Sequence, residues 1–369
     1  MIDDLPPPRE NPDLHGHEEA ERFLKNAFLG GRMAHAWLFS GPEGIGKATL
    51  AYRFARFILS GGGGQAAVPG DGLFAGGAGD EMGDGLYVPP DHPVFRRIAA
   101  GGHSDFLAVE RSLDDKGKLR NQIVVSDVRA IGRFFGLTAG EGGWRVVVVD
   151  CADEMNANAA NALLKVLEEP PDRAMLLLVS HNPARLAATI RSRCSKLALK
   201  PLPEDAVSAL IREHLPDLGE EDAQALAHLA DGSPGRALAL AAEGGLELYR
   251  DMTGLLETLP RLDVGALHAF GSRFGKAGTE DAFRTAGGLI RWWLARLILT
   301  AAGGERPETR FTPEEEALVN RLGKAAGLDR WFEVWEKINH LLAKADQANL
   351  DRKQVVLNVF LTFENAVRS

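Results

Sequence analysis

A glycine-rich turn, GPEGIGKA at residues 41–48, separates an apolar segment from an amphipathic one. The run Trp37–Phe39 predicts a strand that ends at this turn, and Lys47–Leu59 predicts a helix because its apolar residues recur at helical spacing. The turn matches the P-loop pattern G-x-x-x-x-G-K-[ST] except at its last position. In a P-loop, backbone N–H groups surround phosphate oxygens at the N-terminus of a helix. The glycines that would allow this are Gly41, Gly44 and Gly46.

The residues that close the turn decide whether a nucleotide could bind there. Lys47 would reach the β- and γ-phosphates, but Ala48 has no hydroxyl for Mg²⁺. Thr49 follows, yet one further helical residue turns its side chain about 100° away around the helix axis. The motif therefore predicts a loop of phosphate-binding ancestry and leaves the retention of nucleotide open. The alternative is a strand-to-helix turn that binds no ligand.

Four consecutive valines precede Asp150, which is typical of a strand buried on both faces of a parallel sheet. Downstream of a P-loop, an aspartate at the end of such a strand is typical of the Walker B carboxylate that helps to hold Mg²⁺. The next residue is Cys151. A neutral thiol is a poor substitute for a carboxylate that would polarise an attacking water. The alternative is an aspartate that only caps the turn after the strand.

Strand and helix patterns continue to alternate up to about residue 200. The segment Ile123–Val125 predicts a strand, and Ser126 with Asp127 would cap a helix that runs to about Gly136. Because strands and helices alternate, we expect an α/β fold with a mostly parallel sheet. The two further elements of this pattern are a helix and a buried strand, predicted at about 156–169 and at 175–179.

Beyond residue 200 the patterns become almost wholly helical, which predicts three domains. We expect an α/β core over 1–200, a small helical lid over 201–244 and a larger all-helical domain over 245–369. Eleven of the 25 residues from 61 to 85 are glycine. A segment that loses so much backbone entropy on ordering predicts a flexible insertion in the core, at about 61–90.

Composition excludes several classes of protein. The net charge of −9 argues against a surface coated in positive charge for indiscriminate nucleic-acid binding, although a local basic patch stays possible. Two cysteines, Cys151 and Cys194, cannot form a disulfide framework or a zinc site of four thiolates. The acidic, proline-rich N-terminus does not resemble a signal peptide, so we expect a cytoplasmic protein. His15 and His17 are expected to be solvated.

Four segments after the turn carry the motifs of a known family. They are NAANALLKVLEEPP at 158–171, LLLVSHNP at 176–183, TIRSRC at 189–194 and GSPGR at 232–236. With the P-loop and the DCAD run at 150–153, they resemble the clamp-loader subunits of bacterial DNA polymerase III, which belong to the AAA+ ATPases. The resemblance covers about residues 15–240 by motif and the remainder by length and helical character. It implies an AAA+ P-loop core, a helical lid and a C-terminal collar domain that joins subunits.

The resemblance also implies roles for single residues. Arg193, within Ser-Arg-Cys, would be an arginine finger that acts in trans on the γ-phosphate bound by a neighbouring subunit. Ser180 and His181 would occupy the sensor 1 position, and Arg236 would occupy sensor 2 in the lid. The alternatives are an Arg193 that pairs with a surface carboxylate, a His181 that hydrogen-bonds locally and an Arg236 that forms a salt bridge from the lid to the core.

Two departures from the hydrolysing pattern place the chain within this family. The ATPase members, gamma and tau, would be expected to have Lys-Thr or Lys-Ser in the P-loop and Asp-Glu in Walker B. This chain has Lys47-Ala48 and Asp150-Cys151, which resembles the delta-prime branch. The resemblance therefore implies a polymerase subunit whose own ATPase activity is absent or very weak. The alternative is an active P-loop ATPase motor of the gamma or tau kind.

The partners and cofactors implied by the resemblance follow from the same comparison. We expect a hetero-pentamer with gamma or tau and delta subunits, which places a sliding clamp on primed DNA. The resemblance leaves open whether ATP and Mg²⁺ bind to this chain. Many relatives carry a four-cysteine zinc module between the P-loop and Walker B, and that module is excluded because this region has no cysteine.

Overall fold

The computed structural model describes residues 6–31, 33–62, 85–141, 143–276, 278–303, 313–348 and 350–368. The chain forms two compact units and passes from the first to the second between Leu202 and Pro203. The predicted glycine-rich insertion lies mostly outside the described residues.

A five-stranded parallel sheet with the order β2-β3-β4-β1-β5 organises the first unit. Its strands are β1 (Ala36–Ser40), β2 (Phe106–Val109), β3 (Arg145–Val149), β4 (Ala174–Ser180) and β5 (Ser195–Ala198). Its helices are α1 (Glu18–Leu29), α2 (Lys47–Leu59), α3 (Pro93–Ala99), α4 (Val125–Gly136), α5 (Ala157–Glu168) and α6 (Ala188–Arg191).

The valines of β3 explain why this strand lies inside the sheet. Val146 and Val148 belong to the apolar cluster on one face, and Val147 and Val149 belong to the cluster on the other. All four side chains are fully buried. A strand covered on both faces needs apolar residues at every position, so β3 confirms the prediction from the run of valines.

The segment before α4 corrects one prediction. Ile123 forms a single bridge to Met155 rather than a strand, and α4 already begins at Val125. Asp127 lies inside the first turn, where its carboxylate accepts a hydrogen bond from the Val124 N–H at 3.0 Å. The predicted strand was wrong because the carboxylate that satisfies the free N–H groups of the helix lies within the first turn and not before it.

Every regular element that the structure describes in the second unit is a helix. These helices are α7 (Glu204–His214), α8 (Glu220–Leu229), α9 (Pro234–Ala242), α10 (Gly245–Glu257), α11 (Val264–Ser272), α12 (Glu280–Ala301), α13 (Pro313–Ala325), α14 (Leu328–Ala348) and α15 (Arg352–Arg368). The α/β P-loop fold class with a parallel sheet and following helices is therefore confirmed. In the described part of the chain, no helix combines the length and the apolar character that a bilayer crossing needs.

Candidate functional site

The loop between β1 and α2 has the backbone geometry of a phosphate cradle. Gly41, Gly44 and Gly46 have φ values of 146°, 75° and 99°, which other residues rarely adopt. A side chain at Gly41 would also collide with the backbone, because its Cβ would lie 2.6 Å from the carbonyl oxygen of Leu199. The sequence uses glycine here because the chain both turns sharply and closely approaches the residue that follows β5.

Lys47 is the first residue of α2 and only 2% exposed. Its ammonium donates a hydrogen bond to the carbonyl oxygen of Pro42, within the same loop. Burial lowers the pKa of Lys47, and the carboxylates of Glu43 and Asp150 oppose that shift. Ala48 has no hydroxyl and Thr49 is buried, so neither presents an exposed hydroxyl at the loop.

His17 contacts the loop and corrects the expectation that it is solvated. Its ring is buried, and Nε2 donates a hydrogen bond of 2.7 Å to the carbonyl oxygen of Ile45. A Cβ built on Gly46 would lie 2.8 Å from the side chain of Leu14. The segment before α1 therefore covers one side of the loop, whereas His15 is exposed as expected.

Acidification is expected to weaken this cover through His17. Burial lowers the pKa of His17 below its ordinary value of 6.5, although its bond to Ile45 opposes the shift. The unfolded chain then binds the proton more readily, so the stabilising contribution is complete above pH 6.5 and is lost as the pH falls through the lower folded-state pKa. We expect the stability difference between wild type and His17→Gln to shrink between pH 7.5 and pH 5, as measured by urea unfolding. His15→Gln should show no such change, and a difference independent of pH would contradict the assignment.

Cys151 is the second residue after β3 and follows Asp150. Its backbone is left-handed, with φ of 57°, which is uncommon for a residue other than glycine. The sulfur lies 3.3 Å from Nε2 of His181 and 3.7 Å from Oδ1 of Asp150. Burial and the charges of Asp150 and Glu154 strongly raise the pKa of the thiol. At neutral pH the position therefore holds a neutral thiol.

Asp153 fixes the chain that carries His181. Burial would raise the pKa of this carboxyl, but its hydrogen bonds outweigh burial and the pKa is lowered. The carboxylate accepts the backbone N–H of His181 at 3.0 Å and that of Asn182 at 3.2 Å. Ser180, the last residue of β4, is fully buried beside Ser40 of β1 in the sheet register. Parallel pairing thus brings the ends of β1, β3 and β4 to one edge of the sheet.

Arg193 follows the short helix α6 and precedes β5. Its guanidinium forms an ion pair of 2.9 Å with Glu168 and donates to the carbonyl oxygen of Thr189 at 3.1 Å. Cys194 is buried in the core, where burial raises the pKa of its thiol to about 11. The buried neighbour anchors the segment, while the side chain of Arg193 keeps 37% of its surface exposed.

Arg236 lies in the second unit, in the first turn of α9. Its backbone N–H binds the Ser233 hydroxyl at 3.1 Å, and its guanidinium lies 3.8 Å from the carboxylate of Asp231. This ion pair joins two residues of the second unit, whereas the predicted alternative was a salt bridge from the lid to the core.

The structure gathers Lys47, Asp150, Cys151 and His181 at one sheet edge, and it holds Arg193 apart in a pair with Glu168. Sequence reasoning allowed Arg193 a surface carboxylate as partner but did not identify Glu168, and it missed the contacts of His17 with Ile45 and of Cys151 with His181. Each of these contacts joins segments that only folding brings together. Within the described residues, no group of three or more His, Cys, Asp or Glu side chains could hold a metal ion.

Comparisons with known proteins assign the class. A family model described as "DNA polymerase III, delta subunit" matches residues 90–203. The delta-prime subunit of Pseudomonas aeruginosa is 38% identical over 241 residues, which cover 64% of this chain and 66% of that subunit. The delta-prime subunit of Escherichia coli is 34% identical, covering 59% of this chain and 57% of its own length. A gamma subunit-related protein of Thermotoga maritima is a more distant match, with 17% identity and a TM-score of 0.41 over 96% of this chain and all of that one.

The fold and the loop define a P-loop protein of the AAA+ class. Within that class, the chain belongs to the delta-prime family of DNA polymerase III subunits. The matched region spans less than two thirds of the length of these delta-prime relatives.

Proposed function

We propose that this chain is a non-hydrolysing clamp-loader subunit of DNA polymerase III. It assembles in the cytoplasm with gamma or tau and delta subunits into a hetero-pentamer that places a sliding clamp on primed DNA. Its family membership supports the assembly, since relatives named delta-prime, tau and gamma all match the chain. The role in the assembly is to complete a neighbour's active site rather than to turn over ATP.

The observation that carries the non-hydrolysing role is the neutral thiol of Cys151. A general base next to Asp150 would have to accept a proton from water, or orient it, at neutral pH. The raised pKa of Cys151 leaves its sulfur protonated, and that sulfur lies beside His181 and the carboxylate of Asp150. The site therefore lacks the group that activates water in this position.

The loop nevertheless suits a phosphate group. The Lys47 ammonium and the N–H groups at the start of α2 would hold phosphate oxygens, and ATP supplies such oxygens together with the charge that Mg²⁺ offsets. Asp150 would be the ligand for Mg²⁺, but Ala48 contributes none. A bound nucleotide would therefore stabilise the fold and would not be hydrolysed.

Arg193 carries the role in trans. A guanidinium placed against the γ-phosphate of a neighbouring subunit stabilises the charge that builds up during hydrolysis. Its anchored backbone and partly exposed side chain support this assignment. In the second unit, α10–α15 would close the collar between subunits, and Arg236 would serve as sensor 2.

The competing function is that of a motor, which the retained Lys47 and Asp150 favour. The distinguishing experiment measures phosphate release by the purified chain with ATP, Mg²⁺ and primed DNA, alone and with the other subunits. We expect no turnover above background from the chain alone, and loss of clamp loading from a loader that lacks it. Turnover by the chain alone that Lys47→Ala abolishes would contradict the proposal and identify a motor.

A further inference from the structure

The guanidinium of Arg193 is already occupied at both ends by its own chain. One terminal nitrogen lies 2.9 Å from Oε1 of Glu168, and the other donates to the carbonyl oxygen of Thr189 at 3.1 Å. Arginine binds a phosphate through two parallel N–H···O hydrogen bonds. A phosphate bound through these two nitrogens would therefore compete with the contacts that they make within the chain.

Glu168 is well placed for such an internal contact. It is the last residue of α5, which packs against α6, and its neighbour Leu167 is buried in the core. The free carbonyl groups at the C-terminal end of a helix add to the attraction that the carboxylate exerts on a cation. Half of the Glu168 side chain is exposed, so water and a competing anion can both reach the pair.

From this geometry we infer that Glu168 is a positioning residue that holds Arg193 when no partner phosphate is present. This inference rests on the proposed function, because the anion that competes with Glu168 for Arg193 is the γ-phosphate bound by a neighbouring subunit. The carboxylate keeps the finger docked on its own subunit, and the more highly charged phosphate displaces it when the neighbour is correctly placed. Glu168 thereby suppresses hydrolysis in a loader that has not yet closed on DNA.

Removing the competitor is expected to raise hydrolysis in the absence of DNA. Exposed ion pairs are worth little, so for Glu168→Gln we expect an increase of about two- to fivefold in the DNA-free ATPase rate of the assembled loader. The rate with primed DNA should stay unchanged, because the finger is then already engaged. Glu169→Gln is the matched control: Glu169 is the adjacent exposed carboxylate and forms no ion pair within the described part of the chain.

A second readout uses the isolated full-length chain and needs no assembly. Modification of Arg193 by phenylglyoxal, followed by peptide mass spectrometry, should become about two- to fivefold faster in Glu168→Gln and stay unchanged in Glu169→Gln. An unchanged modification rate, or a DNA-free ATPase rate that stays level or falls, would overturn the inference. If Arg193→Ala leaves the loader's hydrolysis intact, the proposed function itself fails. If Arg193 matters but Glu168→Gln changes nothing, only the role of Glu168 fails.

Discussion

Arg193→Ala is expected to abolish ATP hydrolysis at the neighbouring subunit's site while the loader still assembles. An arginine finger contributes about 10³–10⁵-fold to phosphoryl transfer in other systems, and alanine supplies neither charge nor N–H donors. In a single-turnover experiment we expect the rapid phase to lose one ATP per loader. Assembly should survive because the side chain of Arg193 is partly exposed and pairs with a half-exposed carboxylate, so its loss should leave the fold of the chain intact.

Two further variants make the arginine-finger test specific. Arg193→Lys keeps the charge but loses the planar pair of donors, so most of the defect should remain. Arg185→Ala removes an exposed arginine from the same region and should leave the single-turnover amplitude unchanged. An Arg193→Ala loader that retains the full amplitude would assign this residue to a surface ion pair only.

The central strands and the loop were predictable because their signals are local. Four consecutive valines favour a strand that is covered on both faces, because every side chain is then buried. The strand β3 is covered in this way. The glycines of the loop indicate a backbone conformation that other residues rarely adopt, and all three have positive φ values. Local chemistry was sufficient wherever a residue's conformation depends on its own neighbours in sequence.

The edge strands and the contacts of the site were not predictable in this way. Both β2 and β5 have only four residues and are partly exposed, so neighbouring strands and not their own sequence make them strands. His17 reaches Ile45 across 28 positions, and Cys151 reaches His181 across 30. A single sequence carries no signal for such pairs, because the sheet order that joins them is a property of the whole unit.

The stability of the loop's cover depends on a buried arginine of α2. Arg56 is 1% exposed, and burial, together with repulsion from Arg53, lowers its pKa to about 10, so it remains charged at neutral pH. The charge is compensated by carbonyl oxygens of the segment that leads to His17. Its guanidinium donates hydrogen bonds of 2.9–3.0 Å to the carbonyl oxygens of Pro8, Arg9 and Asn11. The ring of Phe95 lies 4.1 Å from the guanidinium carbon.

Arg56→Ala is therefore expected to destabilise the first unit by about 3–5 kcal/mol, since it leaves three carbonyl groups without their donor and opens a cavity. For a unit of this size, that corresponds to a fall in Tm of roughly 6–20 °C, which calorimetry would detect. Arg56→Lys should recover only part of the loss, because a single ammonium cannot reach all three carbonyl oxygens that the planar guanidinium contacts. The exposed Arg129→Ala should shift stability by no more than about 0.5 kcal/mol. If Arg56→Ala unfolds at the wild-type temperature, the segment before α1 is held by its apolar contacts, and Leu14 rather than Arg56 secures the cover over Gly46.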